Sequence, residues 1–215
     1  ALAYEKNGDL QKALVCYQHV LKVRKTMFGE KSIQVGNLYA SMSNLNRRMA
    51  DLAQSLGWNK RAISIYTEHC ENSNGTDSPL KFQARRHLIG NMQNQGGLYV
   101  QMNEVDRAIV CYLTVIEKQV EFQGEEHPDV ATTLNVLGDL YMSKKEYSEA
   151  KASFDRALTL YRKYGVGNDD PDLVSTLQCL CKVEDLIGDE SKTRAGKNIR
   201  NHHKTKTIPP PPADS

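Results

Sequence analysis

Apolar and polar positions alternate with helical spacing over residues 127–164, where two short amphipathic stretches flank a polar turn. Small residues beside large ones would let two helix backbones approach closely, so this pattern predicts a pair of antiparallel helices. One such pair cannot bury its apolar face alone, and it therefore predicts similar pairs on both sides. The apolar or small positions are Leu134, Leu137, Gly138 and Tyr141 in the first stretch, and Tyr147, Ala150, Phe154, Ala157 and Leu158 in the second.

A small residue followed four positions later by an aromatic recurs along the chain. The pairs are Ala13 and Tyr17, Ala62 and Tyr66, Ala108 and Tyr112, and Ala150 and Phe154. Their alanines are 49, 46 and 42 residues apart. Four pairs in phase predict an all-α fold, an α-α superhelix built by stacking antiparallel helix pairs.

Glycines and turn formers set the predicted helix boundaries. A long first helix is expected over residues 32–56 and closed by Gly57, with Ala50 in the place of Gly138. The polar middle of this helix, residues 43–49, is expected on its surface. Near the carboxyl end, Gly188 and Asp189 predict a turn, followed by a polar capping helix.

The segment GEEHPDVATTLNVLGDLY and the helix EYSEAKASFDRALTLYRK after it resemble tetratricopeptide repeats, and among these the repeats of about 42 residues found in kinesin light chains. The Pro-Asp start at Pro128 recurs 43 residues later at Pro171. This resemblance implies a solenoid that holds other proteins. It also implies that Asn135 contacts bound peptide, although Val136 replaces the second Asn that often follows in the family.

The repeat pattern divides the chain into units. We expect residues 1–28 to be the end of one unit, since the chain starts inside a first helix. Further units are predicted at 29–72, 79–122 and 127–164, a degenerate carboxyl-terminal unit with capping helices at 171–201, and a basic, Pro-rich tail at 202–215.

Composition narrows the classes of function. The net charge is +2, and the five cysteines form no CxxC or Cys/His metal spacing, which favours free thiols in a reducing, cytoplasmic compartment. None of the six histidines belongs to a recognisable catalytic arrangement, and there is no glycine-rich phosphate loop. We therefore expect no enzymatic activity, no cofactor, no metal and no membrane span.

First helices line the concave face of such a solenoid, so their polar residues outside the packing positions are the candidate binding residues. Amide side chains can bond the backbone of an extended peptide. Arg47, with Arg48, Arg85 and Arg86 nearby, favours an acidic segment in the amino-terminal half of the groove. The candidates are Asn44, Arg47, Asp51, Gln93, Asn135, Asp139, Gln178 and Lys182.

The tail combines basic residues with four consecutive prolines, which adopt an extended polyproline II conformation. Lys204 and Lys206 are candidate contacts to an anionic surface, and Pro209 and Pro210 to an aromatic groove, while a solvated linker remains the simpler alternative. Nucleic acid is not an expected partner.

Two functions from different classes stay open. The first is a non-enzymatic scaffold that binds a partner peptide or helix in the concave groove and forms part of a larger complex. The second is a structural subunit packed laterally in a cytoskeletal or ciliary (axonemal) assembly, with the groove incidental. Binding of an anionic surface by the tail is a weaker third.

Overall fold

A computed structural model describes residues 1–71, 78–165, 167 and 170–204, with the backbone alone for residue 2 and residues 189–204. This part of the chain forms nine helices and no strand. The helices are α1 (Leu2–Lys6), α2 (Leu10–Phe28), α3 (Ile33–Arg48), α4 (Leu52–Glu71), α5 (Pro79–Gln101), α6 (Val105–Gln123), α7 (Pro128–Ser143), α8 (Tyr147–Lys163) and α9 (Pro171–Lys204).

The helices stack in the order of the chain as successive antiparallel pairs. Each even-numbered second helix packs against the first helix before it and against the first helix of the next pair. The first helices α3 and α5 also contact each other, as do α7 and α9. This arrangement confirms the predicted all-α superhelix of helix pairs.

The pair α7 and α8 shows why this sequence forms a close helix pair. Pro128 occupies the first turn of α7, where its missing N–H leaves no intrahelical bond unmade. A Cβ on Gly138 would lie 2.6 Å from the ring of Phe154, so the ring packs directly on the α7 backbone. Gly96 has the same relation to Tyr112, at 2.7 Å. Glycine at these two positions is therefore a packing requirement.

The second pair corrects the sequence prediction. Its first helix does not run over residues 32–56, because α3 ends at Arg48 and α4 begins at Leu52, before Gly57. Ala50, expected inside the helix, lies in the connection with φ 61°. Asn103 and Lys145 hold the same left-handed conformation in the connections within the next two helix pairs, with φ 59° and 62°.

This boundary changes the register of α4. Counted from the start of each second helix, Ser55 and Asn59 correspond to Ala108 and Tyr112, whereas Ala62 and Tyr66 lie two turns further on. Ser55 and Asn59 are fully buried, as this position requires.

The middle of α3 projects a polar face as predicted, with Asn44, Arg47 and Arg48 exposed, but two of its polar residues are buried instead. Ser43 and Asn46 are both 3% exposed. The Ser43 and Ser55 hydroxyls lie 3.0 Å apart, and the Ser55 hydroxyl also donates to the Ser43 carbonyl at 2.8 Å. Asn46 donates to the carbonyl of Met42 at 2.8 Å. These bonds satisfy the buried polar groups and let their side of α3 pack against α4.

The predicted turn at Gly188 is also wrong. Helix α9 continues through this residue as one helix of 34 residues and ends at Lys204. A glycine inside a helix costs about 1 kcal/mol relative to alanine, and helix-forming residues such as Leu186, Glu190 and Lys192 surround this one.

Candidate functional site: the first-helix face

Polar side chains connect successive first helices, and Asn135 of α7 is the best-defined example. Its amide nitrogen donates to the Thr176 hydroxyl of α9 at 2.7 Å and lies 3.3 Å from the Tyr161 hydroxyl of α8. Thr176 in turn lies 2.6 Å from the carbonyl of Asp172. Asn135 therefore joins three helices.

Gln93 repeats this relation one unit earlier. Its amide nitrogen lies 3.5 Å from the hydroxyl of Thr133 on α7, and Thr133 bonds the carbonyl of Asp129 at 2.9 Å. Gln93 precedes Asn135 by 42 residues and Thr133 precedes Thr176 by 43, so both contacts occupy the same repeat position. The side-chain amides of Gln93 and Asn135, below called the row of amides, thus each connect one first helix to the next.

Asp139 lies one turn beyond Asn135 and meets α9. The thiol of Cys179 is 3.9 Å from its carboxylate. Desolvation raises the pKa of Asp139, while the thiol contact and the charge of Lys182 oppose this rise. Gln178 and Lys182 are both exposed on α9.

At the amino-terminal end, the register predicted for Arg47 and Asp51 is wrong. Counted back from the end of α3, Ala40 stands at the position of Asn135 and Asn44 at that of Asp139. Arg47 is exposed in the last turn of α3, and the Asp51 carboxylate accepts a hydrogen bond from the Gln54 N–H at 3.0 Å, which caps α4. Whether Asn44, Arg47 or Asp51 contacts a partner stays a prediction.

The arginines expected to act together are separated. Arg48 binds the carboxylate of Glu5 at 2.9 Å. Arg85 and Arg86 line a cavity instead.

That cavity, of about 280 Å³, lies among α5, the end of α6 and the start of α7. It shares Gln93 with the row of amides. The guanidinium of Arg85 stands 5.0 Å from the ring centroid of Phe122, a cation–π distance. Its walls are formed by Phe82, Arg85, Arg86, Ile89, Gly90, Gln93, Phe122, Gln123 and Asp129.

Sequence reasoning did not place Phe82 and Phe122 at a cavity. Phe82 is 62% exposed, a large value for an aromatic side chain on a first helix. It lies four residues before Arg86 on the same face of α5, and this spacing was the available signal. Phe122 has no such signal, because its place depends on where α6 ends against α5. The cavity can accept an apolar group beside a negative charge.

The predicted tail sites lie beyond the side chains that the structure describes. Lys206, Pro209 and Pro210 lie outside the described residues, as does the side chain of Lys204. In the described part of the chain, no group of three or more His, Cys, Asp or Glu side chains could hold a metal ion. None of the helices in that part has both the length and the apolarity to cross a membrane.

Comparison with known proteins agrees with this architecture. The family description Tetratricopeptide repeat matches residues 88–163 and residues 1–26. Protein KINESIN LIGHT CHAIN-RELATED 3 of Arabidopsis thaliana is 23% identical over 205 residues, covering 81% of this chain and 31% of its own length. Protein KINESIN LIGHT CHAIN-RELATED 1 of the same plant is 24% identical over 201 residues, covering 92% and 30%. The chain thus spans about a third of the length of these relatives.

Solved structures share the fold. The crystal structure of BtubC (BKLC) from P. vanneervenii has a TM-score of 0.67 at 24% identity, over 99% of this chain and 80% of that one. The apo form of RapI has a TM-score of 0.71 at 19% identity, over 87% and 46%. The resemblance seen in the sequence is confirmed: tetratricopeptide repeats match residues 1–26 and 88–163, and the chain is similar over most of its length to the kinesin light chain-related proteins.

Proposed function

We propose that this protein is a non-enzymatic scaffold that binds an extended segment of a partner protein on its first-helix face, with one side chain in the cavity beside Gln93. The cavity carries this proposal, because it places apolar and cationic groups next to the row of amides. Stacked repeats create extended concave surfaces of the kind that proteins use for such binding.

The lining indicates the chemistry of the segment. Phe82, Ile89 and Phe122 offer apolar contact, and exposed Arg86 on α5 offers a guanidinium group, while Asp129 lines the cavity from α7, where its carboxylate accepts a hydrogen bond from Gln123 at 3.0 Å. The guanidinium of Arg85 lies over Phe122. A segment with an aromatic or large aliphatic side chain next to Asp or Glu would satisfy both the apolar residues and Arg86. The amides of Gln93 and Asn135 already bond neighbouring helices, so we assign them the role of fixing the spacing of the first helices.

Variants of the cavity test this proposal. Short synthetic peptides that combine aromatic and acidic residues, displayed as a library, would be screened against the full chain and the best binder measured by fluorescence anisotropy. We expect Arg86→Glu to weaken binding about tenfold or more, because it places like charges together. Lys60→Glu is the matched control, since Lys60 is exposed on the second helix α4, and it should leave binding unchanged.

A second variant separates the cavity from charge alone. Apart from its chain neighbours and the backbone of its own helix, no atom lies within 4 Å of the place where a Cβ on Gly90 would stand, and Gly90 lines the cavity. Gly90→Leu should fill the cavity and abolish binding, with circular dichroism showing an intact helix. Full binding by both Arg86→Glu and Gly90→Leu would refute the proposal.

A structural subunit in a lateral assembly is the second candidate. Val110 and Leu113 on the outer side of α6 are 64% and 40% exposed, and such apolar positions on a second helix suit lateral packing. The kinesin light chain-related name of the relatives supports a cytoplasmic, cytoskeletal setting for either candidate. Val110→Lys with Leu113→Lys should disrupt assembly and spare peptide binding if this candidate holds.

A further inference from the structure

Helix α9 begins as a first helix, and among the residues that the structure describes no second helix covers its outer face. It starts 43 residues after α7, with the same Pro-Asp pair, and packs against α7 and α8 as a first helix does. It then continues straight to Lys204 instead of turning back. The residues of α9 that a second helix would cover can therefore be identified from the corresponding residues of α7, which α8 covers.

The two helices differ sharply on that face. On α7 the stripe of Ala131, Leu134 and Gly138 is buried, and Gly138 touches Phe154 of α8. The corresponding residues of α9 are Val174 and Leu177, each 37% exposed, and Cys181, also exposed. Three apolar or weakly polar side chains thus form a stripe like the one that α8 covers on α7.

Charge beside the stripe indicates what would bind there. Glu184 follows Cys181 on the same stripe, where its carboxylate pairs with the ammonium of Lys151 on α8 at 2.5 Å, and exposed Asp185 flanks it. Lys182 is the only basic residue of α9 before residue 189. A second helix runs antiparallel to its first helix, so its amino-terminal turn would lie near these two carboxylates. Both the positive end of a helix dipole and basic side chains in that turn suit this position.

Cys181 limits the shape of the bound helix. Phe154 packs on α7 only because Gly138 leaves room for its ring. At the same position of α9 a cysteine side chain occupies that room. An aliphatic residue such as leucine fits opposite Cys181 better than an aromatic ring does.

We propose that Val174, Leu177 and Cys181 form a docking surface for an amphipathic helix of a partner protein, antiparallel to α9, with basic residues in its first turn and an aliphatic residue opposite Cys181. This surface is on a different helix from the cavity of α5 and does not depend on the proposed groove function. Recognition of this kind buries one apolar helix face against another.

A peptide based on residues 147–163 tests the surface directly. The probe carries Tyr147→Lys, to place a positive charge near Asp185, and Phe154→Leu, with a hydrocarbon staple between the exposed positions 155 and 159. Binding to the full chain is measured by anisotropy. Leu177→Asp should weaken it about tenfold or more by removing a buried leucine contact, while Ser175→Asp, exposed on the opposite side of α9, should have no effect.

The difference in room between Gly138 of α7 and Cys181 of α9 supplies a reciprocal test. The unchanged chain should prefer the leucine probe over the same peptide with phenylalanine at that position. Cys181→Gly should reverse this preference. The absence of any reversal, or equal binding to Leu177→Asp, would overturn the proposal.

Alkylation of Cys181 shows whether the surface is open. In the free chain we expect fast reaction with iodoacetamide, and slower reaction once the probe is bound. Slow alkylation at every protein concentration would mean that the chain covers its own surface. Slowing that grows with protein concentration would mean that a second copy does, and either result overturns a partner helix.

Discussion

The second and fourth helix pairs have the same backbone arrangement but different interiors. In the fourth pair, α7 and α8 meet through Gly138, Ala150 and Phe154, which form an apolar contact. In the second pair the corresponding positions are Ser43, Ser55 and Asn59, all buried and polar. At these positions the fourth pair relies on close packing and the second on hydrogen bonds, while the close packing of the second pair lies two turns further along α4, where Tyr66 meets Gly36.

The polar interior of the second pair extends to α5. The amide nitrogen of Asn59 donates to the Asn91 carbonyl at 3.0 Å, and that of Asn91 donates to the His87 carbonyl at 2.8 Å. The side-chain oxygens of both are buried without a hydrogen-bond partner among the described residues. Since an unsatisfied buried oxygen is destabilising, we expect the contact between the second and third pairs to be less stable than the fourth pair.

Truncating the aromatic of the fourth pair should give the largest effect. Phe154 is 1% exposed, and Phe154→Ala should lower the free energy of unfolding by about 3–5 kcal/mol, measured by urea denaturation. Asn59→Ala at the same repeat position should lower it by only about 1–2 kcal/mol, because it removes one hydrogen bond. Equal losses would contradict the distinction between the two interiors.

Adding one methyl group to the close contact comes next. Gly138→Ala would place a Cβ 2.6 Å from the Phe154 ring and should destabilise by about 1–3 kcal/mol. Gly57→Ala, inside α4 with no atom within 4 Å of its Cβ position, should instead stabilise by about 1 kcal/mol. Thermal unfolding of both variants would check the opposite signs.

The polar contact can also be made apolar. Asn59→Leu with Asn91→Leu removes both unsatisfied oxygens together and should raise stability by about 1 kcal/mol. Each single variant should do less, because one buried amide remains. A loss in the double variant larger than in either single one would show that this hydrogen bonding stabilises the array.

These pairs also show what sequence could reveal. The fourth pair was predictable, because a glycine facing an aromatic is a strong size signal. The second pair was not, since Ser43 and Asn59 stand at the positions of Gly138 and Phe154 and remove the size signal, and Ala50 marks its left-handed turn no better than Lys145 does in the fourth pair. Ala62 and Tyr66 repeat the small-then-aromatic spacing seven residues after Ser55 and Asn59, and a shift of two turns preserves the helical phase.

The candidate site was predictable in kind and only partly in detail. The place of Gln93 and Asn135 on the first-helix face was predictable, because their repeat position follows from the helix phase, whereas their contact with a partner stays a prediction. Their bonds to Thr133 and Thr176 depend on the spacing between units, which the sequence does not encode locally. The cavity needs three helices to meet, so Phe122 could not be placed from its neighbours in the chain.

The smallest expected effect is a pH dependence of stability that arises from His87, beside the polar contact between the second and third pairs. His87 stacks on Tyr66 with ring centroids 5.3 Å apart, and desolvation, with a smaller contribution from Arg86, lowers the pKa of His87. The unfolded state therefore binds this proton more readily, so stability should fall as pH drops below about 6.5. His87→Phe keeps the stacking and should flatten this slope in urea titrations, whereas an unchanged slope would assign it to other groups.

Hydrogen–deuterium exchange of the full chain, with and without the best aromatic and acidic peptide from the library, tests the central claim most directly. We predict slower exchange on α5 from Phe82 to Gln93 and at the start of α7 near Asp129, the elements that line the cavity. Protection confined to α4, α6 and α8 would contradict a binding site on the first-helix face.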